Sequence, residues 1–113
     1  MKGMNYAVEY SEYDERITKL CEQIAEMVHP VRIIIFNRKY SISGELASFK
    51  LCVIINGIDC SKVEQQIYLA LDCDVPFDVL VYNYEHWNSL LDDKYSFAYR
   101  GIMNGGVVLY ESE

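Results

Sequence analysis

Three aspartates in the second half of the chain have the type and spacing closest to metal-dependent phosphate chemistry. Asp72-Cys73-Asp74 is a literal Asp-x-Asp sequence ahead of an apolar run, and Asp78 lies within that run. Clustered carboxylates of this kind hold Mg²⁺, which bridges phosphate oxygens and stabilises developing charge. The Asp-x-Asp sequence directly follows a helical pattern and precedes Pro76, and aspartate is a standard turn residue. A solvated turn is therefore the favoured interpretation, and Asp92-Asp93 is assigned to a loop or helix end for the same reason.

Basic residues concentrate in one segment of an otherwise acidic chain. Residues 32–50 carry four bases and one acid, whereas the whole chain has a net charge of −7. Arg38 and Lys39 are adjacent there, after an apolar run and within a polar loop that begins at Asn37. Two interpretations stay open: phosphate capture with Arg38 as a bidentate donor, and a solvated loop, which is favoured because two adjacent bases in a loop are common.

The remaining nucleophiles and bases form no recognisable catalytic set. His29 precedes Pro30 at a helix end, and His86 lies in a Tyr-Glu-His-Trp turn, with no acid at a useful spacing. The four cysteines lack the paired close spacing of a zinc site, so no metal is expected there. Cys21 and Cys52 are predicted to be buried free thiols.

The elements that would position these residues follow from hydrophobic periodicity. Ser11 to Asp14 has the form of a capping box before an amphipathic helix that ends at His29-Pro30. Val31 to Phe36 is predicted to be a central strand, and Phe49 to Ile55 a second strand that pairs with it as an antiparallel hairpin.

A second capping box, Ser61 to Glu64, predicts the next helix, with a buried face formed by Val63, Ile67, Tyr68 and Leu71. Later elements are expected in this order: a strand at 77–82, helices at 85–91 and 95–103, and a strand at 107–110. The fold class is thus α/β (α+β), a small mixed sheet of about four strands with helices packed on it, in the order α-β-β-α-β-α-α-β.

This layout resembles the minimal nucleotidyltransferase domain of the DNA polymerase β superfamily across nearly the whole chain. The strings that carry the resemblance are Ile33-Ile34-Ile35-Phe36, Leu51-Cys52-Val53-Ile54, Phe77-Asp78-Val79-Leu80-Val81 and the ending Gly106-Val107-Val108-Leu109-Tyr110-Glu111. The family carries Gly-Ser after the first of these strands, Asp-x-Asp at the start of the second and an Asp in the third. In this chain, Asn37-Arg38 occupies the Gly-Ser positions and Ser48-Phe49-Lys50 occupies the Asp-x-Asp positions. Of the family's catalytic carboxylates, only Asp78 is therefore retained.

The resemblance implies a site whose metal ligands at positions 48 and 50 are lost, with Lys50 and Asp78 on adjacent strands. We expect either an ion pair in which the ammonium replaces the metal, or a Lys50 side chain that points to solvent. A separation above about 6 Å between the two charged groups would exclude the ion pair. No cofactor is expected under this interpretation.

Length and composition are those of one globular domain over residues 1–113, since the chain has 51% hydrophobic residues and no low-complexity tract. No apolar stretch reaches the length of a transmembrane helix, and the N-terminus lacks a signal-peptide core, so a cytoplasmic protein without membrane association is expected. The acidic balance argues against a nucleic-acid partner. Ten tyrosines, among them Tyr6, Tyr10 and Tyr13, and a Trp87 near Tyr82 and Tyr84 are compatible with either internal packing or an interface.

The resulting hypothesis is a nucleotidyltransferase-like protein without metal-dependent transfer, which binds itself, a nucleotide-like anion or a small helical protein. The last partner is implied by the resemblance, because such domains are commonly paired with small helical HEPN-type proteins in toxin–antitoxin systems. The alternative is an active nucleotidyltransferase that moves a nucleoside monophosphate to a protein or small molecule, with Mg²⁺ held by Asp78 and a second carboxylate such as Glu45.

Overall fold

The structure, a computed structural model, describes residues 14–112. The Ser11 end of the first predicted capping box and the three N-terminal tyrosines lie outside the described residues. The elements are α1 (Glu15–Val28), β1 (Arg32–Tyr40), β2 (Leu46–Ile55), α2 (Cys60–Ala70), β3 (Phe77–Asn83), α3 (Tyr84–Leu91), a π-helix (Ala98–Met103) and β4 (Val107–Glu111). Their order confirms the predicted order of helices and strands, and the fourth helical element is a π-helix.

The four strands form one mixed sheet in the order β3-β2-β1-β4. β1 pairs antiparallel with both β2 and β4, and β2 pairs parallel with β3. β1 therefore lies between two other strands, as its apolar composition on both faces predicted.

Each face of the sheet carries its own hydrophobic core, because alternate strand residues point to opposite faces. On one face, β1 residues such as Ile33 and Ile35 belong to a cluster with Leu20 and Ile24 of α1 and Ile67 of α2. On the other face, side chains from β1 and β2 pack with residues of α3 and the π-helix; these are Ile34, Phe36, Cys52, Ile54, Trp87, Ala98 and Ile102. The second face is the one that carries the candidate site.

The first strand is longer than predicted. It continues through Asn37 to Tyr40, where a polar loop from residue 37 onwards was expected. Asn37 adopts a positive φ of 53°, and the β1–β2 register shifts between Phe36 and Lys39, which identifies a β-bulge. Asparagine tolerates this conformation better than most residues. The bulge lets the strand continue past a polar residue, so the hairpin turn is only five residues long, from 41 to 45.

The helix starts differ in how well they were predicted. Asp14 caps α1, and its carboxylate accepts hydrogen bonds from the Arg16 backbone and side chain. The second predicted capping box is wrong, because α2 begins one residue before Ser61 and its N-cap, Asp59, makes no side-chain cap hydrogen bond. Of the four residues predicted to form the buried face of α2, only Ile67 is fully buried.

Tyr68 takes a different role from the buried one predicted for it. It is 42% exposed, and its hydroxyl accepts a 2.6 Å hydrogen bond from the backbone N–H of Val79 on β3. Because β3 is an edge strand, that donor would otherwise lack a partner on its outer side. Tyr68 thus covers part of this edge, and its ring stacks on Phe77.

The helix predicted at 95–103 is a turn followed by the six-residue π-helix. Two glycines explain how this segment packs. A Cβ on Gly101 would lie 2.4 Å from the Phe97 ring, and one on Gly106 would lie 2.1 Å from the Ile102 carbonyl oxygen. Gly106 meets backbone, so close packing there requires glycine, whereas a side chain at Gly101 would displace the Phe97 ring. No helix in the described part of the chain is long and apolar enough to cross a membrane.

Candidate functional site

Lys50 and Asp78 form a charged pair on the sheet face that carries α3 and the π-helix. They are register partners across the parallel β2–β3 pairing. The Lys50 Nζ lies 3.7 Å from the Asp78 Oδ2. Of the two alternatives for Lys50, an ion pair with Asp78 or a side chain that only points to solvent, the structure shows the ion pair.

The pair belongs to a row of side chains across three strands. Phe36 of β1 is the register partner of Lys50, and Lys50 is the partner of Asp78. Ser48 lies two residues before Lys50 on the same face and is half-buried. The Phe97 ring meets Phe36 edge-on, with the ring centroids 6.2 Å apart. An aromatic pair therefore flanks the ion pair at the end of the sheet.

The ion pair is accessible to solvent rather than enclosed in a pocket. The Lys50 side chain is 40% exposed and that of Asp78 is 66% exposed. Water screens an interaction of this kind, which contributes little to stability. The geometry still matters for metal binding, because a Lys50 ammonium 4 Å from a divalent cation repels it by about 8 kcal/mol at an effective dielectric of 20. With Lys50 beside it, Asp78 is a poor ligand for Mg²⁺.

Asn37, Arg38 and Lys39 do not form one phosphate-binding loop. All three lie in β1, which corrects the prediction of a polar loop tip. Arg38 lines a cavity of about 350 Å³ at the start of α1 together with Asp14 and Glu45. Lys39 is the register partner of Ser48, so it faces the side of the sheet that carries Lys50, away from that cavity. Because adjacent strand residues point in opposite directions, Arg38 and Lys39 cannot grip one phosphate together from this arrangement.

Glu45 is not brought to Asp78. It lies in the hairpin turn and lines the same cavity as Arg38, near α1. Asp78 is instead beside Lys50. Lys50 lies five residues after Glu45, which corresponds to about 17 Å along the strand. Among residues 14–112, no three His, Cys, Asp or Glu side chains form a group that could hold a metal ion.

The other acidic motifs lie in turns, as predicted. Asp72 and Asp74 are exposed in the connection between α2 and β3, and they line a cavity of about 520 Å³ that Arg16 and Lys19 of α1 also line. Asp92 is the C-cap of α3, and the Asp93 carboxylate accepts a hydrogen bond from the Tyr95 backbone N–H. These local roles account for both motifs without a metal.

The cysteines are free thiols in two environments. Cys21 and Cys52 are buried in the two cores, and burial raises the pKa of each thiol to about 12. Cys60 and Cys73 are half-buried, and burial also raises the pKa of Cys60. The prediction that Cys21 and Cys52 are buried and free is confirmed.

The histidines are exposed and have structural surroundings. His29 is the left-handed C-cap of α1, with a φ of 52°. His86 lies in α3, with its ring 6.2 Å from that of Tyr82. Neither is placed beside the Lys50–Asp78 pair by the described contacts.

For Trp87, internal packing and an interface were both left open. Trp87, considered for a surface with Tyr82 and Tyr84, is fully buried, because it is the apolar side of α3 that packs on the sheet. The exposed aromatic residues lie instead around the π-helix, where Phe97 is 57% exposed. The sequence pattern predicted a helix at 95–103 but did not predict which of its side chains are exposed.

Comparisons with known proteins identified no relative: no family model, no curated protein and no solved structure matches this chain.

Proposed function

We propose that this protein is a non-catalytic nucleotidyltransferase-like domain that acts by binding. The single observation that carries the proposal is the 3.7 Å contact between the Lys50 ammonium and the Asp78 carboxylate. In the family that the sequence resembles, positions 48, 50 and 78 supply the carboxylates of a metal site. Here a cation on the protein itself is paired with the one carboxylate that is retained.

The chemistry of nucleotidyl transfer explains why this exchange matters. Transfer needs Mg²⁺ to bridge the phosphate oxygens and to stabilise charge on the leaving group. Ser48 offers only a neutral oxygen, and Lys50 repels a metal ion from the place where two carboxylates would attract it. Glu45, the carboxylate considered as a second ligand, lies at the hairpin turn and lines the cavity near α1. The arrangement therefore supports a binding role, with a small helical protein or a nucleotide-like anion as the partner classes.

Restoring the carboxylates is the direct test. We expect the natural protein to transfer no labelled nucleotide from ATP, GTP or CTP to itself or to added protein in Mg²⁺ or Mn²⁺. The double variant S48D/K50D is expected to bind Mn²⁺ at least tenfold more tightly than the natural protein, measured by calorimetry or by the paramagnetic signal of free Mn²⁺.

A matched control separates a site effect from net charge. The variant S61D/K62D makes the same two substitutions on the exposed surface of α2, so it changes the net charge equally but leaves the sheet face as it is. We expect its Mn²⁺ affinity to stay at that of the natural protein. The proposal would be overturned if the natural protein transferred nucleotide measurably and the D78A substitution abolished that transfer.

A further inference from the structure

The segment from Tyr95 to Met103 forms an exposed apolar ridge on the sheet face of the candidate site. Ala98 and Ile102 point into the core, so the residues between and around them point outward. Four large side chains of this ridge are exposed: Tyr95 by 73%, Phe97 by 57%, Tyr99 by 45% and Met103 by 37%. Four such residues within nine positions are more than the scattered apolar residues of an ordinary surface.

The ridge is held in a defined shape. Phe97 packs against Phe36 of β1, with the rings in edge-on contact, and leans on Gly101, where a side chain would collide with it. Tyr99 and Met103 line a shallow depression together with Asn104. The Ser96 hydroxyl donates to the Leu90 carbonyl and accepts from the Tyr99 backbone N–H, which ties the start of the ridge to α3. An ordered apolar surface loses little conformational entropy on binding.

The charge of the ridge differs from that of the whole chain. The chain has a net charge of −7, yet residues 92–110 contain two acids, Asp92 and Asp93, and two bases, Lys94 and Arg100. Arg100 is exposed in the π-helix between Tyr99 and Gly101 and makes no ion pair among the described residues. Two copies that approach through most of their surfaces repel each other, but through the ridge they do not.

We propose that the ridge is the interface through which two copies of this chain associate. A two-fold contact uses the same patch on both copies, so that each contact is made twice. The ridge meets this condition, since its aromatic and methionine side chains can pack against the same side chains of a second copy. Its two acids and two bases also give it no net charge. This inference goes beyond the loss of catalysis, because it concerns a different set of residues and a different measurement.

The apolar area is suited to a modest dimer. The exposed fractions of the four side chains amount to about 400 Å² per copy when each side chain contributes about 200 Å² in full. That is about half of the roughly 800 Å² that each partner contributes to a standard interface. We therefore expect a dimer that dissociates on dilution.

Sedimentation velocity over a concentration series tests the proposal on the full chain. The average mass is expected to rise from one copy towards two as the protein concentration increases. Y99S is expected to weaken the association at least tenfold, as expected for a residue near the centre of an interface. L69S is the matched control, because Leu69 is 88% exposed on α2, across the sheet from the ridge, and its loss is expected to change nothing.

A charge variant gives a second readout that does not depend on apolar packing. R100E and K62E each make the net charge more negative by two, and both residues are exposed. Only R100E is expected to weaken the association by tenfold or more, because it alone makes the ridge acidic. A monomer at every concentration would overturn the proposal. Equal effects of Y99S and L69S, or of R100E and K62E, would also overturn it. None of these results bears on nucleotide transfer, which is tested by its own assay.

Discussion

Lys50 and Asp78 stand opposite one another on two parallel strands, with Nζ and Oδ2 3.7 Å apart and both side chains partly in water. This relationship predicts a weak contribution to stability. A double-mutant cycle with K50M and D78N is expected to give a coupling free energy below about 1 kcal/mol, because solvent screens the pair and two side chains must be held in place. Urea unfolding followed by the fluorescence of Trp87, the single tryptophan of the chain, provides the measurement.

The Arg32–Glu111 pair serves as an internal comparison for that cycle. Its Nη2 to Oε2 distance is 2.9 Å, Arg32 also donates from Nε to the same oxygen, and the Arg32 side chain is only 22% exposed. We expect a larger coupling here, of about 1 kcal/mol. A larger coupling for Lys50 and Asp78 than for this pair would contradict the view that they form a screened surface bridge.

Asp14 is expected to stabilise α1 in a pH-dependent way. D14A should lower the free energy of unfolding by about 1 kcal/mol at pH 7, because it removes the N-cap of α1. Hydrogen bonds from the Arg16 side chain and backbone N–H hold the pKa of Asp14 at about 2, below its ordinary value of 3.8. D14N is the matched control, since asparagine also caps helices but does not titrate in this range.

The sign of the pH effect follows from that pKa. As the pH falls from about 4 to about 2, the unfolded chain binds the Asp14 proton before the folded chain does. The stabilisation that Asp14 contributes is therefore fully present above this range and is lost as the pH falls through it. Thermal unfolding of the natural protein and of D14N from pH 5 to pH 2 should show their difference shrinking towards the acid end. An unchanged difference across that range would contradict the role given to Arg16.

The order of the elements along the chain and the central position of β1 could be predicted because they rest on strong signals. Unbroken apolar runs such as Ile33 to Phe36 are typical of buried strands, and the spacing of Ile17, Leu20, Cys21 and Ile24 is typical of a helix with one buried side. The Lys50–Asp78 contact was one of two alternatives that the family layout left open, and it required that β2 and β3 be neighbours.

The features that escaped prediction depend on local backbone geometry or on long-range packing. Asn37 is left-handed, and the bulge at this residue continues the strand through positions that were expected to form a loop. Arg38 and Lys39 therefore lie in a strand, where adjacent residues point to opposite faces. Ser61 to Glu64 has the letters of a capping box, yet α2 starts before it. The π-helix at 98–103 was predicted as an ordinary helix, because periodicity alone reveals neither π-helical geometry nor the close packing at Gly101 and Gly106.

The four cysteines are expected to react with a thiol reagent in two groups. In the folded protein at pH 8, Cys73 and Cys60 should react first, with Cys60 the slower because burial raises its pKa. Cys21 and Cys52 should stay unmodified until denaturant is added, because they are buried and their pKa values are raised to about 12. Mass spectrometry of the modified peptides over time distinguishes the four sites, and rapid labelling of Cys52 without denaturant would show that the core beneath α3 opens readily.

Gly106 is expected to tolerate no side chain. A Cβ at this position would lie 2.1 Å from the Ile102 carbonyl oxygen and 3.0 Å from the Ile34 Cγ2, so G106A must push the π-helix away from β1. We expect a loss of about 2–3 kcal/mol in the free energy of unfolding, measured by urea denaturation. G57A is the control, because its nearest neighbour would be the Ile55 side chain at an ordinary 3.8 Å. Since Gly106 joins the π-helix to β4, G106A should also weaken self-association through the ridge. Equal stability of G106A and G57A would refute the close packing on which the position of the ridge depends.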